Sequence, residues 1–367
     1  MTDRCRTTRQ ACAVAILAVF IAAPATVLRA QEPAGRSPAN GSPIVLAIHG
    51  GGGVRPRSEM TPALESEYRA ALTEALRRGH AVLRNGGSGV EAVEAAIRVM
   101  EDSPLFNAGK GASYNRDGYH ELDAAIMDGR TLAAGAVAAV QRVKNPISLA
   151  RAVMEKSPHV LITGEGALEF ARAQQLEIVA PHYFFTEHKW ESLQRRLQQQ
   201  TPFGKSAKPD SGIRTAPSTR PPHDATDYGA YGTVGAVALD RAGNLAAGTS
   251  TGGREGKLPG RVGDSPIIGA GTYANNATLA VSSTGLGEYV LKLVATKEMS
   301  DLMEFRGLSV EDATSTVVRK ISGMGGGIGV VAVDRKGNIA MPFADDGMYR
   351  GFVRADGKVV VQIYREP

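Results

Sequence analysis

Apolar residues along the chain fall into two kinds of pattern, short continuous runs and stripes at helical spacing, and the two alternate. IVLAIHGGGG, from Ile44, predicts a buried strand ending in a glycine loop. TPALESEYRAALTEALRRGHAVLRNGG places Leu64, Tyr68, Leu72, Leu76 and Leu83 on one face, with Thr61 as N-cap, Pro62 at the first helical position and Gly86 as the stop. In SGVEAVEAAIRVMED the set Val90, Val93, Ile97 and Met100 predicts a second helix with its acids turned away from the core. A glycine-rich loop, NAGKGASYNRDG, leads into ELDAAIMDGRTLAAGAVAAVQRV, which predicts two strands joined at Asp128-Gly129. ISLARAVMEKS, EGALEFARAQQ and HKWESLQRRLQQQ are helical in pattern.

The second half repeats itself. GTVGAVALDRAGNLAAG and GGGIGVVAVDRKGNIAMPF share G-x-V-A-(V/L)-D-R-x-G-N-(L/I)-A, which predicts two hairpins with Asp-Arg-x-Gly-Asn turns. Their strands are apolar throughout, so both faces must be covered. GEYVLKLVATKEMSDLMEF and SVEDATSTVVRKISG supply two helices between them. Helices outside and mainly antiparallel strands inside predict an α/β (α+β) fold, a four-layer αββα sandwich. Between the halves, residues 198–232 are rich in Pro, Ser, Thr, Gly and charge, too poor in aliphatic groups to offset their ordering entropy.

The N-terminus changes the picture of charge. Arginines followed by ACAVAILAVFIAAPATV read as a signal peptide over 1–30, with 31–43 as a disordered mature start, and predict export to the periplasm or beyond. The chain carries a formal +5, and removing Arg4, Arg6, Arg9, Arg29 and Asp3 leaves +2. The high pI is thus a targeting feature and gives no argument for nucleic-acid binding, and no membrane association is expected after the signal is removed. Both cysteines, Cys5 and Cys12, leave with the signal, which removes disulfides, thiolate catalysis and cysteine-ligated metals together.

No GxxxxGK[ST], HExxH or CxxC is present, and IHGGGG lacks the G-x-S-x-G partner of a hydrolase elbow. Asp345-Asp346 reads as a solvated turn, and Glu121 and Asp123 alternate without facing each other across a substrate. Chemistry therefore falls on hydroxyls and glycines. Cutting between Gly232 and Thr233 would give Thr233 a free α-amine, with a pKa near ~8, able to act as base for its own hydroxyl. Glycine before the cut lets the hydroxyl approach the carbonyl for an N-to-O acyl shift.

STGGREGKLPGRVGDSPIIGAGTYANN, with FNAGKGASYNRDGYHELDAAIMDG, GTVGAVALD, SSTGLGE and PFADDGMYR, resembles the plant-type asparaginase and isoaspartyl peptidase family of N-terminal-nucleophile hydrolases. The resemblance spans nearly all of the chain after residue 43 except the linker. It implies self-cleavage into an alpha subunit (44–232) and a beta subunit (233–367) that form one domain, and a dimer of such units. It also implies Thr233 as nucleophile, Thr251 as its orienting partner, Arg261 on the substrate α-carboxylate and Asp264 on its α-ammonium. Thr284 and Gly285 become the oxyanion hole, with Gly287 beside the substrate and Asn107 as a further site residue. It implies no cofactor for catalysis. The loop carbonyls of Met100, Glu101, Ser103, Phe106, Ala108 and Lys110 correspond to those that hold a structural sodium ion. The chain departs from the family in reading HGGGG for HGGAG and in its long linker.

The implied activity is hydrolysis of β-aspartyl bonds, in isoaspartyl dipeptides or L-asparagine. A glycosylasparaginase is the nearest alternative, although its threonine usually follows Asp and its second oxyanion motif differs from TGxGE. A non-catalytic periplasmic amino-acid-binding protein, which would remain one chain, is the alternative from another class.

Overall fold

The computed structural model describes residues 43–199 and 232–365. The expected signal peptide, all but the last residue of the expected mature start, and the linker from 200 to 231 lie outside the described residues. The first half runs β1 (Val45–Gly52), α1 (Pro62–Arg84), α2 (Gly89–Glu101), β2 (Leu122–Asp128), β3 (Ala134–Val140), α3 (Pro146–Lys156), β4 (Leu161–Thr163), α4 (Gly164–Ala173) and α5 (Glu187–Gln199). The second runs β5 (Val234–Leu239), β6 (Leu245–Thr251), β7 (Thr272–Ala274), β8 (Leu279–Gly285), α6 (Gly287–Leu293), α7 (Ala295–Arg306), α8 (Val310–Gly323), β9 (Ile328–Asp334), β10 (Ile339–Ala340), β11 (Gly347–Arg354) and β12 (Val359–Tyr364).

Local chemistry explains most boundaries. Thr61 Oγ1 accepts the Leu64 N–H at the start of α1, and Ser88 with Glu91 forms a reciprocal capping box on α2. The repeated Asp-Arg-x-Gly-Asn segments are true hairpin turns: Asp240 Oδ1 accepts from Asn244 N at 2.9 Å, and Asp334 Oδ1 from Asn338 N at 2.9 Å.

Two sheets result, in the orders β12-β11-β1-β5-β6-β2-β3-β4 and β10-β9-β8-β7, flanked by helices in a mixed α/β arrangement. Every residue of β1, β5, β6 and β9 is buried, as their continuous apolar runs require. In β1, Leu46 and Ile48 join a core with Leu72, Leu76, Val93 and Ile97 of α1 and α2. Val45 and Ala47 join a second core with Val281 and Val331 of the other sheet and Met299 and Val317 of α7 and α8. The two copies of the repeat thus occupy different sheets, the first at the centre of the larger one.

Several expectations are corrected. The helix expected from Gly287 to Phe305 is two, because Val294 sits at φ 48° and the first N–H groups of α7 are drawn to Ala270 and Gly269 carbonyls. Glu101, expected to face water with the other acids of α2, is fully buried and accepts from Ser250 Oγ at 2.6 Å and Ile147 N at 3.0 Å. The turn after Asp128 is longer than a two-residue one, closed by Thr131 Oγ1 on Asp128 Oδ2. Strands β4, β7, β8, β11 and β12 were not expected from the pattern.

Candidate active site

Register alone brings the two threonines together. Val234 pairs with Ser250 in the β5/β6 ladder, so Thr233, one step before β5, lies beside Thr251 at the end of β6. Thr233 Oγ1 donates to Thr251 Oγ1 at 3.2 Å, and both residues are buried. Thr251 Oγ1 in turn donates to the Gly232 carbonyl at 3.2 Å and accepts from Gly253 N at 3.0 Å.

The Gly232 carbonyl has a second, shorter donor. Asn107 Nδ2 reaches it at 2.7 Å and also reaches Gly253 O at 2.7 Å, while Asn107 Oδ1 accepts from Ser113 N at 2.7 Å. Two donors on one peptide oxygen, in a buried setting, pull electron density away from the carbon that the Thr233 hydroxyl would attack. Gly51, at φ +117°, completes the close approach: a Cβ there would stand 2.9 Å from Gly232 Cα.

Sequence reasoning missed a polar chain behind Thr233. His49 lies opposite Gly235 in the β1/β5 ladder. Its Nδ1–H donates to the Thr233 carbonyl at 2.9 Å, because a carbonyl can only accept. Burial lowers its pKa to about 3, so the ring is neutral and Nε2 accepts from Ser282 Oγ at 2.9 Å. Ser282 then accepts from Thr249 at 2.7 Å, and Thr249 from Thr272 at 2.6 Å, which ties the two sheets together under the site. The second glycine of GTVG makes room for this chain. A Cβ on Gly235 would fall 1.9 Å from Ser282 Oγ and 2.3 Å from His49 Nε2.

Beyond Thr233, a narrow cleft of about 10 Å³, room for roughly one water, is lined by Thr251, Gly253, Arg254, Arg261, Asp264, Gly285 and Gly287, so most of the expected substrate residues do converge. Asp264 is buried, which raises its pKa to about 6 against the pull of a 2.8 Å hydrogen bond from Ser283 Oγ. Gly287 must be glycine, since a Cβ would meet Asp264 Oδ1 at 2.7 Å and Arg261 Nη2 at 3.1 Å. Arg261 is held through Nε and Nη2 by Glu288 Oε1 at 3.1 and 2.9 Å. Burial acts to raise the Glu288 pKa, but the Arg261 guanidinium outweighs it and holds the group below the usual carboxylate range.

The loop carrying Arg261 is anchored by residues that sequence reading set aside. Glu121 accepts from Gly260 N with both oxygens, at 3.0 and 3.1 Å. Lys257 Nζ donates to Glu121 O at 2.7 Å and stands 4.0 Å from Asp123 Oδ2. Burial pulls the lysine below its ordinary value and lifts Asp123 above its own, while each partly restores the charge of the other. Glu121 and Asp123 do not meet across a substrate; they grip the loop from behind. No spacing rule could have shown this, because the partners are more than a hundred positions away.

Gly285, at φ +142°, lines the cleft, with a would-be Cβ only 2.2 Å from Gly327 O. Thr284 is fully buried behind it and accepts the Gly52 N–H at 3.1 Å. Asp345 is half-buried and Asp346 exposed, so only the second fits the expected solvated turn. The HGGGG departure is benign, since a Cβ on Gly52 would meet Asp345 and Thr284 at 3.4 and 3.6 Å, ordinary contact distances.

Two glycines of the loop after α2 pack closely on backbone carbonyls. A Cβ on Gly109 would lie 2.3 Å from Glu101 O, and one on Gly111 2.2 Å from Phe106 O. Glycines are needed for that close packing, and the donor set expected of the loop, neutral carbonyl oxygen, has the chemistry that suits a hard cation. Among the described residues no cluster of three or more His, Cys, Asp and Glu side chains could hold a metal, and no helix is long and apolar enough to cross a membrane.

Comparison with known proteins gives a consistent result. The sequence profile of the family described as asparaginase matches residues 42–363. An isoaspartyl peptidase of Salmonella typhimurium is 49% identical over 88% of this chain and 99% of its own length. An isoaspartyl peptidase of Escherichia coli is 46% identical over 88% and 96%. A plant-type L-asparaginase of Pyrococcus furiosus is 42% identical over 81% and 92%.

Proposed function

This chain belongs to the asparaginase family, and from that premise we propose that it is a self-cleaving amidohydrolase acting on β-aspartyl bonds, those of isoaspartyl dipeptides and of L-asparagine. The observation that carries the reading is the Gly232 carbonyl, gripped by Asn107 and Thr251 beside the Thr233 hydroxyl.

In the first stage Thr233 Oγ1 attacks the Gly232 carbonyl carbon. The oxyanion forms between the Asn107 and Thr251 donors, the C–N bond breaks as the hydroxyl proton passes to the departing Thr233 nitrogen, and water hydrolyses the resulting ester. Residues 44–232 then end at Gly232 and residues 233–367 begin with a free α-amine. In the second stage that amine takes the proton of the Thr233 hydroxyl as it attacks the substrate's β-carbonyl. Arg261 and Asp264 read the α-carboxylate and α-ammonium of the aspartyl unit, and the Gly285 N–H receives the second oxyanion, backed by the buried Thr284. The α-ammonium protonates the leaving amine. Water then releases aspartate from the acyl-Thr233 ester.

His49 acts through position only: its hydrogen bond on the Thr233 carbonyl fixes the residue whose two reactive groups sit on the same Cα. A sodium ion would be held by backbone carbonyls of the Met100–Lys110 loop and would stiffen the segment that presents Asn107. The same reading includes the four-layer αββα arrangement of the N-terminal-nucleophile hydrolases, export through residues 1–30, and a dimer of cleaved units.

Intact mass and N-terminal sequencing of purified wild type and Thr233→Ala test it. The expected result is a 135-residue fragment beginning TVGAVALD from wild type and an uncut variant. A single uncut wild-type chain with no β-aspartyl hydrolysis would overturn it.

A further inference from the structure

A second cleft, of about 300 Å³, lies against the same scissile peptide. Its walls include Gly50, Gly52, Gly53, Asn107 and Gly232, so Gly232 separates it from the narrow cleft of Arg261 and Asp264. The rest of its lining is mixed. Tyr68, Leu105 and Tyr349 are apolar in body, and Arg55, Lys189 and Arg195 outnumber the one acid, Glu59.

Position gives this cleft a role. The group that protonates the leaving nitrogen is the α-amine of Thr233, and that amine is the nitrogen now bonded to Gly232. A leaving group therefore departs toward the Gly232 side, while the aspartyl unit occupies the opposite side, at Arg261 and Asp264. When the Gly232–Thr233 bond is cut, the wall between the two clefts is broken at the point where the leaving nitrogen must sit.

Chemistry specifies what fits. Tyr68 stacks on Tyr349 at 4.3 Å between ring centroids and gives the cleft an apolar wall. Tyr349 is 6% exposed, and its hydroxyl faces the Tyr68 hydroxyl and the Arg55 backbone. Lys189 is committed to Ser113 Oγ at 3.2 Å and lies 3.9 Å from Glu255, and Arg195 is exposed beside Glu191. Arg55 is half-buried on the wall beside Tyr68.

We propose that this cleft is the leaving-group subsite, taking the second residue of a β-aspartyl dipeptide, with Arg55 receiving its α-carboxylate and the Tyr68–Tyr349 wall its apolar side chain. The inference rests on the function proposed above and narrows its substrate class: dipeptides with a free C-terminal carboxylate use a contact that L-asparagine, which releases ammonia, cannot.

The test compares kcat/KM for β-Asp-Leu, β-Asp-leucinamide and L-asparagine in wild type and in Arg55→Met, each first shown to be processed into two chains. Wild type is expected to favour the acid over the amide by about tenfold, the worth of one charge-assisted hydrogen bond at a half-exposed site. Arg55→Met is expected to erase that preference and to lower the ratio of β-Asp-Leu to L-asparagine turnover by a similar factor. Equal rates on acid and amide in wild type, or a preference that survives in Arg55→Met, would overturn the subsite while leaving the parent reading intact. Should the variant stay unprocessed, the wild-type comparison of acid and amide decides alone. A processed wild type that cleaves neither β-aspartyl substrate would overturn both.

Discussion

Replacing Asn107 by Ala separates the chemistry of self-cleavage from the stability of the fold. The change removes the 2.7 Å donor on Gly232 O and leaves Thr251 Oγ1, at 3.2 Å, as the remaining one. Loss of one of two oxyanion donors slows a reaction by about 10²- to 10³-fold, or roughly 3–4 kcal/mol of barrier. The same change strips Ser113 N of its acceptor and Gly253 O of a donor, a ground-state cost of about 1–3 kcal/mol. The fold should therefore survive with its Tm lowered by several degrees. The assay is the fraction of two-chain protein against time after purification, read by gel and intact mass, beside a thermal melt. Asn107→Asp is the control: it can keep the Ser113 contact but sets a carboxylate oxygen toward two carbonyl oxygens, so it should process no faster than the alanine variant. Folded Asn107→Ala that self-cleaves within about threefold of the wild-type rate would refute the role given to this side chain.

Gly235→Ala forces a methyl into the His49–Ser282 contact, and overpacking with loss of a buried hydrogen-bond chain should cost about 3 kcal/mol or more and impair processing, measurable by denaturant unfolding and gel. Gly52→Ala meets only ordinary contacts at φ below zero, so its stability should stay within about 0.5 kcal/mol of wild type, with processing unchanged. Asp264, raised to about 6 by burial, should lose its charge as pH falls through that value, so KM for substrates bearing an α-ammonium should rise below pH 6 with little change in kcat. Because the native carboxyl holds its proton to higher pH than the unfolded one, near 3.8, this group should also make the substrate-free protein less stable as pH rises from about 4 to 6, and Asp264→Asn should remove that slope in melts. His49 has the opposite sign: its native pKa lies below the unfolded 6.5, so its contribution to stability should fade as pH drops from 6.5 toward 3, a trend His49→Gln should weaken.

Much of the local architecture was legible in the sequence. Thr61 and Pro62 announced α1, and the Val90, Val93, Ile97 and Met100 stripe announced α2, because caps and helical periodicity are properties of neighbouring residues. The repeated Asp-Arg-x-Gly-Asn turns and their uninterrupted apolar flanks announced two hairpins with both faces covered, and both are present. The break at Val294 was not legible, since it is made by carbonyls of Gly269 and Ala270 arriving from another loop. The shortest of the unexpected strands escaped notice for a different reason: β4 and β7 have three residues each, too few to show a period.

Of the candidate site, the sequence alone determined which residue types were available: hydroxyls, glycines, and an Arg-x-x-Asp pair fit to read an amino acid's charged ends. It also determined that Thr233 opens a strand behind a polar linker. The tertiary structure decided which of them meet. His49 reaches Ser282 across 233 positions, and Asn107 reaches Gly232 across 125. Such partners carry no local signature, because a buried polar group is satisfied by whatever the closed backbone brings to it, and only the closed backbone fixes that distance.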